Sequence, residues 1–290
     1  MDFSERILLP SEIGKYSSFS PAASTTETLV VFIHGFRGKA VSTWLAFPSY
    51  LNNTQELRDA DVLFYGYASR PQRMQNMAIS LREDIDNIWQ HPSSLGADPG
   101  SFLAKRDNGT TRWQRLLIVA HSLGAVVARR ALLDCFLSLK EPGTHWASHC
   151  AMCLFAPAHA GANLLHLIGE TWSTSGMPVA PVMKIFYPCL QDLQKDSQAL
   201  DALRQDYLSL DPDLQKLCNA THVVLAGKDQ VVEPIRFPGD PVPVQIRHRG
   251  HIAVCKPTNG FEKPVEHVVR VWSIDARFNG NSPTKRGPAA

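Results

Sequence analysis

The stretch Arg115-Leu-Leu-Ile-Val-Ala-His-Ser122-Leu-Gly-Ala-Val-Val-Ala-Arg-Arg130 changes pattern at a single serine. Before it, Leu116, Leu117, Ile118 and Val119 form an unbroken apolar run, the mark of a strand buried on both faces. After it, Val126, Val127 and Ala131 fall at helical spacing. A strand that turns this abruptly into a helix crowds its own backbone. Small residues are then needed two positions before and two after the turn, while the serine Oγ is pushed into the open. Ala120 and Gly124 meet that need, with Ala120 adding one methyl where glycine is usual. Read alone, the stretch also suits a serine that caps an ordinary helix after a buried strand. What surrounds it decides between that and a nucleophile elbow.

Working outward, Thr28-Leu-Val-Val-Phe-Ile-His34-Gly35-Phe36 is a second continuous run, ending in a glycine-containing loop. Such a loop serves as a plain strand end, or it lets a backbone N–H approach a developing oxyanion. The donors on that second reading are Phe36 N–H and Leu123 N–H. Asp61 to Tyr67 and His149 to Pro157 read as further buried strands. Trp44 to Leu51 reads as a short helix, and Gln72 to Trp89 as a longer one with Met74, Met77, Ile79, Leu81, Ile85 and Ile88 turned to the core. Residues 91–113 are rich in Pro, Gly, Ser and charge and read as a surface loop. The alternation predicts an α/β fold with a mostly parallel, doubly wound sheet.

Beyond Gly161 the pattern is helical without strands as far as Leu217, so residues 161–217 read as a helical cap inserted over the mouth of a pocket. Strands resume at Thr221 to Ala226 and Val242 to Ile246, and Pro264 to Arg277 closes the chain as a helix. The expected organisation is an N-terminal arm or eroded hairpin over 1–28, one domain over 29–277, and a polar tail over 278–290.

Composition removes several function classes. The 290 residues are 44% hydrophobic and 19% charged, with a net charge of +2, which gives no general electrostatic basis for binding nucleic acid. Six cysteines lie scattered in apolar segments, as reduced thiols of a cytoplasmic protein would. Cys150 and Cys153 sit in a strand with side chains on opposite faces, so no metal site is expected. No signal peptide or membrane-spanning run is read, which leaves peripheral contact as the expected relation to a membrane.

A serine hydroxyl becomes a useful nucleophile when a base takes its proton and an acid holds that base in the right tautomer. On a doubly wound sheet these groups lie on loops at the carboxyl ends of strands, in the chain order nucleophile, acid, base. Ser122, Asp229 and His251 occur in that order and in those contexts. Glu233 and Asp240 compete for the acid and His248 for the base. Arg37, Lys39, Arg70, Arg73, Arg236 and Arg249 follow strands on the same side, as solvated surface charge or as a basic rim for an anionic group.

The chain resembles α/β-hydrolases of the lipase-like group that includes GPI inositol-deacylases and serine-active-site lipase-like proteins. Carrying the resemblance are His34-Gly35-Phe36 with Trp44, Ala120-His-Ser122-Leu-Gly124 with Arg129-Arg130, and Ala156-Pro-Ala-His159-Ala-Gly161. Leu193 to Leu200 and Gly250-His251-Ile-Ala-Val-Cys-Lys256-Pro257 are also similar. The resemblance implies hydrolysis of a carboxylic ester, often a lipid, with no metal or organic cofactor, and it favours His251 over His248. With the chain order and strand-end placement, Ser122, Asp229 and His251 are the expected catalytic residues. His34, Gly35, Arg37, Arg70, His159 and Arg249 are the expected substrate-binding residues. Two other classes are compatible with the same fold: an acyltransferase using the same acyl-enzyme, and a non-catalytic ligand-binding or signalling module.

Overall fold

The apolar runs around Val30, Leu63, Ile118 and Met152 become neighbouring strands of one sheet. The computed structural model describes residues 8–11, 13–22, 24–95, 112–138, 143, 145–171 and 187–279. Its strands are β1 (Leu9–Ser11), β2 (Ser17–Ser20), β3 (Thr28–Ile33), β4 (Asp61–Tyr65), β5 (Arg115–His121), β6 (Cys150–Phe155), β7 (His222–Ala226) and β8 (Val244–Ile246). They lie in the order β1-β2-β4-β3-β5-β6-β7-β8, with β3 to β8 parallel and the two N-terminal strands antiparallel. Every residue of β3, β4 and β6 is buried, which is why these segments read as continuous apolar runs instead of alternating ones.

The helices are α1 (Phe47–Tyr50), α2 (Gln55–Arg58), α3 (Met74–Gln90), α4 (Leu123–Ser138), α5 (Leu164–Thr171), α6 (Cys189–Asp192), α7 (Gln198–Ser209), α8 (Pro212–Cys218) and α9 (Lys263–Ile274). Helix α3 packs along α4, while α9 packs on β6, β7 and α2. Helix α4 is buried nearly all round and includes two arginines, each of which needs a partner there. Arg130 pairs with Asp134 and, at 2.6 Å, with Asp206 of α7. The chain leaves β3 toward β4 and returns to form β5 on the other side of β3. Loops after β3 and β5 therefore diverge and open a crevice at the carboxyl end of the sheet.

Several segments differ from the pattern reading. Of the two readings of the N-terminal segment, the hairpin is the one found over part of it: β1 pairs with β2, and β2 pairs with β4 through Phe19 opposite Leu63. Its polar residues hid it, since Ser17 is buried because its Oγ accepts from Gly66 N–H at 2.8 Å. The segment from Trp44 to Leu51 is two short pieces, a 3-10 turn over Ser42–Trp44 and α1, split at Leu45 with φ +52. In the expected cap, α5 to α8 are helical, and residues 172–186 lie outside the described residues. Residues 96–111 of the long loop and 280–290 of the tail also lie outside them.

Candidate active site

Strand β5 runs into α4 through Ser122, whose φ of +54 is strained for a residue with a side chain. Two features hold it there. Ser122 N–H donates to Phe155 O at 3.0 Å, and Gly124 lets the helix press on the end of β3, where a Cβ would come within 2.3 Å of His34 O. Ala120 fits in the position before the turn, fully buried and paired with Ile33 and Leu154.

Parallel register brings the other groups to the same edge. Asp229 follows β7 and His251 follows β8, and these strands align through Ala226 and Ile246. His251 Nδ1–H donates to Asp229 Oδ2 at 2.9 Å, and Ser122 Oγ–H donates to His251 Nε2 at 2.8 Å. The second oxygen of Asp229 accepts from Val231 and Val232 N–H at 2.8 and 3.0 Å. Burial opposes the charge on Asp229, but the His251 ring and these two amides outweigh it and hold its pKa below the usual carboxylate value. The carboxylate thus fixes the His251 tautomer that leaves a lone pair facing Ser122.

His121, to which the sequence reading gave no role, completes this arrangement. Its Nε2–H donates to His251 O at 2.9 Å, tying the loop after β8 to the end of β5. Its Nδ1 is buried without a hydrogen-bond partner among the described residues. Burial, and next the neighbouring His251, lower its pKa to about 3, so the ring is neutral. Its position beside the serine is the one signal the sequence carried for it.

His34 is likewise neutral, with burial lowering its pKa to about 4. Its Nδ1–H donates to Gly35 O at 2.8 Å, its Nε2 accepts from Tyr67 N–H at 3.4 Å, and its ring stacks on Tyr67. Both ring nitrogens are spent shaping the loop that carries Gly35 and Phe36. Phe36 and Ser122 line one cleft of about 310 Å³, together with Gly35, Arg37, His251 and Lys256. Leu123 is the first residue of α4, where backbone N–H groups have no intrahelical acceptor.

The remaining expected residues scatter. Arg37 and Lys39 line the Ser122 cleft, and Arg70 lines the cleft next to it. Arg249 instead lays its guanidinium over Phe261 at 3.8 Å, and Arg73 pairs with Asp192 at 2.9 Å. His159 lines a different hollow with Arg236, and its Nε2 accepts from Arg129 Nε–H at 3.1 Å. Of the competing acids, Asp240 is held by Arg129 at 2.6 Å and Glu233 pairs with Lys195 at 3.0 Å. His248 is exposed.

No family model matches the chain, and no curated protein matches it in sequence. Solved structures do match its fold. The mature form of lipase BlEst2 from Bacillus licheniformis aligns with a TM-score of 0.56 at 13% identity, over 87% of this chain and 96% of that one. Esterase B from Lactobacillus rhamnosis, in a structure with a tributyrin phosphonate, aligns with a TM-score of 0.55 at 13% identity, over 96% of this chain and 88% of that one. Phospholipase PlaB from Legionella pneumophila gives a TM-score of 0.47 at 16% identity over 69% of this chain, which spans 39% of that protein's chain. The architecture is the α/β-hydrolase fold.

Proposed function

We propose that this chain is a serine hydrolase that cleaves carboxylic esters through an acyl-enzyme. The observation that carries the reading is the unbroken chain of hydrogen bonds from Ser122 Oγ through His251 to Asp229, at 2.8 and 2.9 Å, set on a strained strand-to-helix turn. A base held this way removes the serine proton as Oγ attacks the ester carbonyl, and Asp229 stabilises the imidazolium that forms. The carbonyl oxygen, now carrying charge, is received by Phe36 N–H and Leu123 N–H. His251 then protonates the leaving alcohol, the C–O bond breaks, and the acyl group stays on Ser122. Water, deprotonated by the same imidazole, releases the acid and restores the serine.

The fold supports this reading through the placement of each group at the carboxyl end of its strand. Acyl esters of small molecules or lipids are the proposed substrates, and the mechanism uses neither metal nor organic cofactor. No helix of the described residues is long and apolar enough to cross a membrane.

Labelling with a fluorophosphonate, followed by a panel of esters, tests the reading. The wild-type chain should react at Ser122 and turn over the esters, while Ser122→Ala should neither label nor retain more than about a thousandth of the turnover. A Ser122→Ala protein as active as wild type removes the assignment. A chain that labels but passes its acyl group to an added alcohol in preference to water is an acyltransferase, and one that does not label is a binding module.

A further inference from the structure

The two N–H groups that receive the oxyanion in the proposed mechanism are held by different means. Leu123 N–H belongs to the first residue of α4, so the helix fixes its direction. Phe36 N–H stands in a loop, directly after a glycine, the residue whose backbone turns most freely. Glycine suits that place. A Cβ on Gly35 would lie 3.0 Å from both Ser122 Cβ and His121 Nδ1, closer than side chains ordinarily pack, so its absence lets the loop come up against the nucleophile. The freedom that comes with it has to be removed by other groups.

Gly35 C=O and Phe36 N–H are opposite sides of one planar trans peptide, so whatever holds the carbonyl also aims the N–H. Gly35 O accepts from His34 Nδ1–H at 2.8 Å and from Gly38 N–H at 3.0 Å. Both bonds draw charge toward the oxygen and make the N–H across the peptide a stronger donor. The preceding peptide is held as well, because Tyr67 Oη–H donates to His34 O at 2.7 Å. With the carbonyls on either side of the Gly35 Cα anchored, its two dihedrals are fixed. Tyr67 acts a second time through its backbone. Its N–H meets His34 Nε2 at 3.4 Å, which puts the lone pair on that nitrogen and the proton on Nδ1, the one that donates to Gly35 O. The two rings lie parallel within 1°, with centroids 4.3 Å apart. Burial, and next the nearby Cys189, raise the Tyr67 phenol well above the usual tyrosine range, so its hydroxyl stays a donor. Gly35 and Phe36 line the Ser122 cleft, whereas His34 and Tyr67 line the cleft behind the loop.

We propose that Tyr67, acting through His34, is the positioning residue that aims Phe36 N–H at the oxyanion formed on Ser122. This role rests on the hydrolase reading and adds to it a residue of the loop after β4, outside the triad. His34 is then part of a clamp instead of the substrate contact expected from the sequence. The clamp matters when the carbonyl oxygen gains charge, so it governs turnover and not the binding of the uncharged ester.

Tyr67→Phe keeps the ring and the N–H and removes the hydroxyl. It should lower kcat for a neutral short-chain ester about tenfold with KM unchanged, part of the roughly hundred- to thousandfold that loss of a whole oxyanion donor costs. Tyr65→Phe removes the same hydroxyl from the end of β4, where it donates to Asp84 at 2.7 Å, and should leave kcat and KM intact. His34→Asn, whose side-chain amide can donate to Gly35 O, should keep more turnover than His34→Leu. An alkyl trifluoromethyl ketone reads the aim directly: Ser122 Oγ adds to its carbonyl carbon, His251 takes the proton, and the ketone oxygen becomes an oxyanion. Isotopic labelling of glycine carbonyl carbons and phenylalanine amide nitrogens singles out two Gly–Phe amides by NMR, Gly35–Phe36 and Gly260–Phe261. The ketone should move the Phe36 amide proton downfield and leave that of Phe261 in place. In Tyr67→Phe that shift should shrink, and the ketone should bind about tenfold more weakly. Wild-type kcat in Tyr67→Phe with an undiminished Phe36 shift overturns the proposal, as does a loss confined to KM or matched by Tyr65→Phe. If wild type hydrolyses esters but the ketone leaves Phe36 unmoved, the hydrolase reading stands and the clamp has no part in it. If wild type neither hydrolyses esters nor takes up the ketone, the hydrolase reading itself fails and the clamp is structural.

Discussion

Helix α4 carries two histidine–aspartate arrangements that use the same side-chain types to opposite ends. At its N-terminus, Asp229 accepts from His251, and His251 keeps a lone pair that faces Ser122. About two turns further on, both carboxylate oxygens of Asp240 accept from Nη2 of Arg129, at 2.8 and 2.6 Å, and His159 gives its lone pair to Nε–H of the same guanidinium. Arg129 is fully buried, donates also to Cys218 O at 2.9 Å, and lies over Phe237 at 4.1 Å. Asp240 further accepts from Ala220 N–H at 2.8 Å. Every polar group of the second arrangement is spent on another protein group. The first leaves the Ser122 hydroxyl, hydrogen-bonded to the His251 lone pair, lining a cleft. A buried histidine therefore suits a base or a structural pin according to whether a hydroxyl or a guanidinium meets its free lone pair.

The sharpest way to break this contrast is to make the same change in both aspartates. Asp229→Asn should lower ester turnover by roughly four orders of magnitude, because the amide no longer holds the His251 tautomer, with little loss of fold. Asp240→Ala should do the reverse. It strands a buried guanidinium and should cost about 3–5 kcal/mol in urea unfolding, while the correctly folded fraction keeps its turnover. The double change Arg129→Met with Asp240→Leu should recover most of that stability, since no charge is then left unpaired. If Asp229→Asn proves to be the stability variant and Asp240→Ala the activity variant, the two roles have been assigned the wrong way round.

The contrast also explains which parts of the molecule were legible in the sequence. Strands β3, β5 and β6 were, because burial on both faces leaves no polar alternation, and the shift to helical spacing after Ser122 marks its turn. Ser122, Asp229 and His251 were legible as a set because each closes or follows a strand, and parallel register carries strand ends to one edge. The pin was not. Arg129 and Asp240 lie 111 residues apart, neither stands at a strand end, and nothing local marks them as partners. His159 was consequently read as a substrate contact and Asp240 as a rival acid. The N-terminal hairpin was legible only as an alternative to an irregular arm, for a related reason: Ser17 and Ser20 are buried polar residues, and Ser17 is satisfied by a backbone amide 49 residues away.

Acidification gives an intermediate effect that sharpens the contrast on the Ser122 side. His34 and His121 have folded pKa values near 4 and 3, below the ordinary 6.5, so the unfolded chain takes up their protons first as pH falls. Stability contributed by keeping them neutral is complete above pH 6.5 and is lost as pH falls from there toward 4, by on the order of a few kcal/mol. Below that, Asp229 adds to the loss as it protonates, because its folded pKa is lowered. His121→Gln keeps a donor for His251 O and removes one titrating ring. Urea midpoints measured from pH 7 to 4.5 should fall less steeply in this variant, by up to about 1.4 kcal/mol per pH unit. An unchanged slope would mean that His121 takes up its proton as readily in the folded chain as in the unfolded one.

The smallest effect is expected at His159, and it bears most directly on whether the pin is structural. Burial first, and then the adjacent Arg129, hold the His159 pKa well below 6.5, so its Nε2 is an acceptor and is filled by Arg129. Glutamine offers a carbonyl oxygen in its place. His159→Gln should therefore cost no more than about 1 kcal/mol at pH 7 and leave ester turnover and ester preference unchanged. His159→Phe has the same bulk without an acceptor, leaves one buried N–H of Arg129 unsatisfied, and should cost about 1–3 kcal/mol, again without touching turnover. The order of these two variants in a urea titration reads the hydrogen bond itself, since packing volume favours phenylalanine and the acceptor favours glutamine. A tenfold fall in turnover with either variant would join His159 to the Ser122 cleft and end the distinction between the two arrangements.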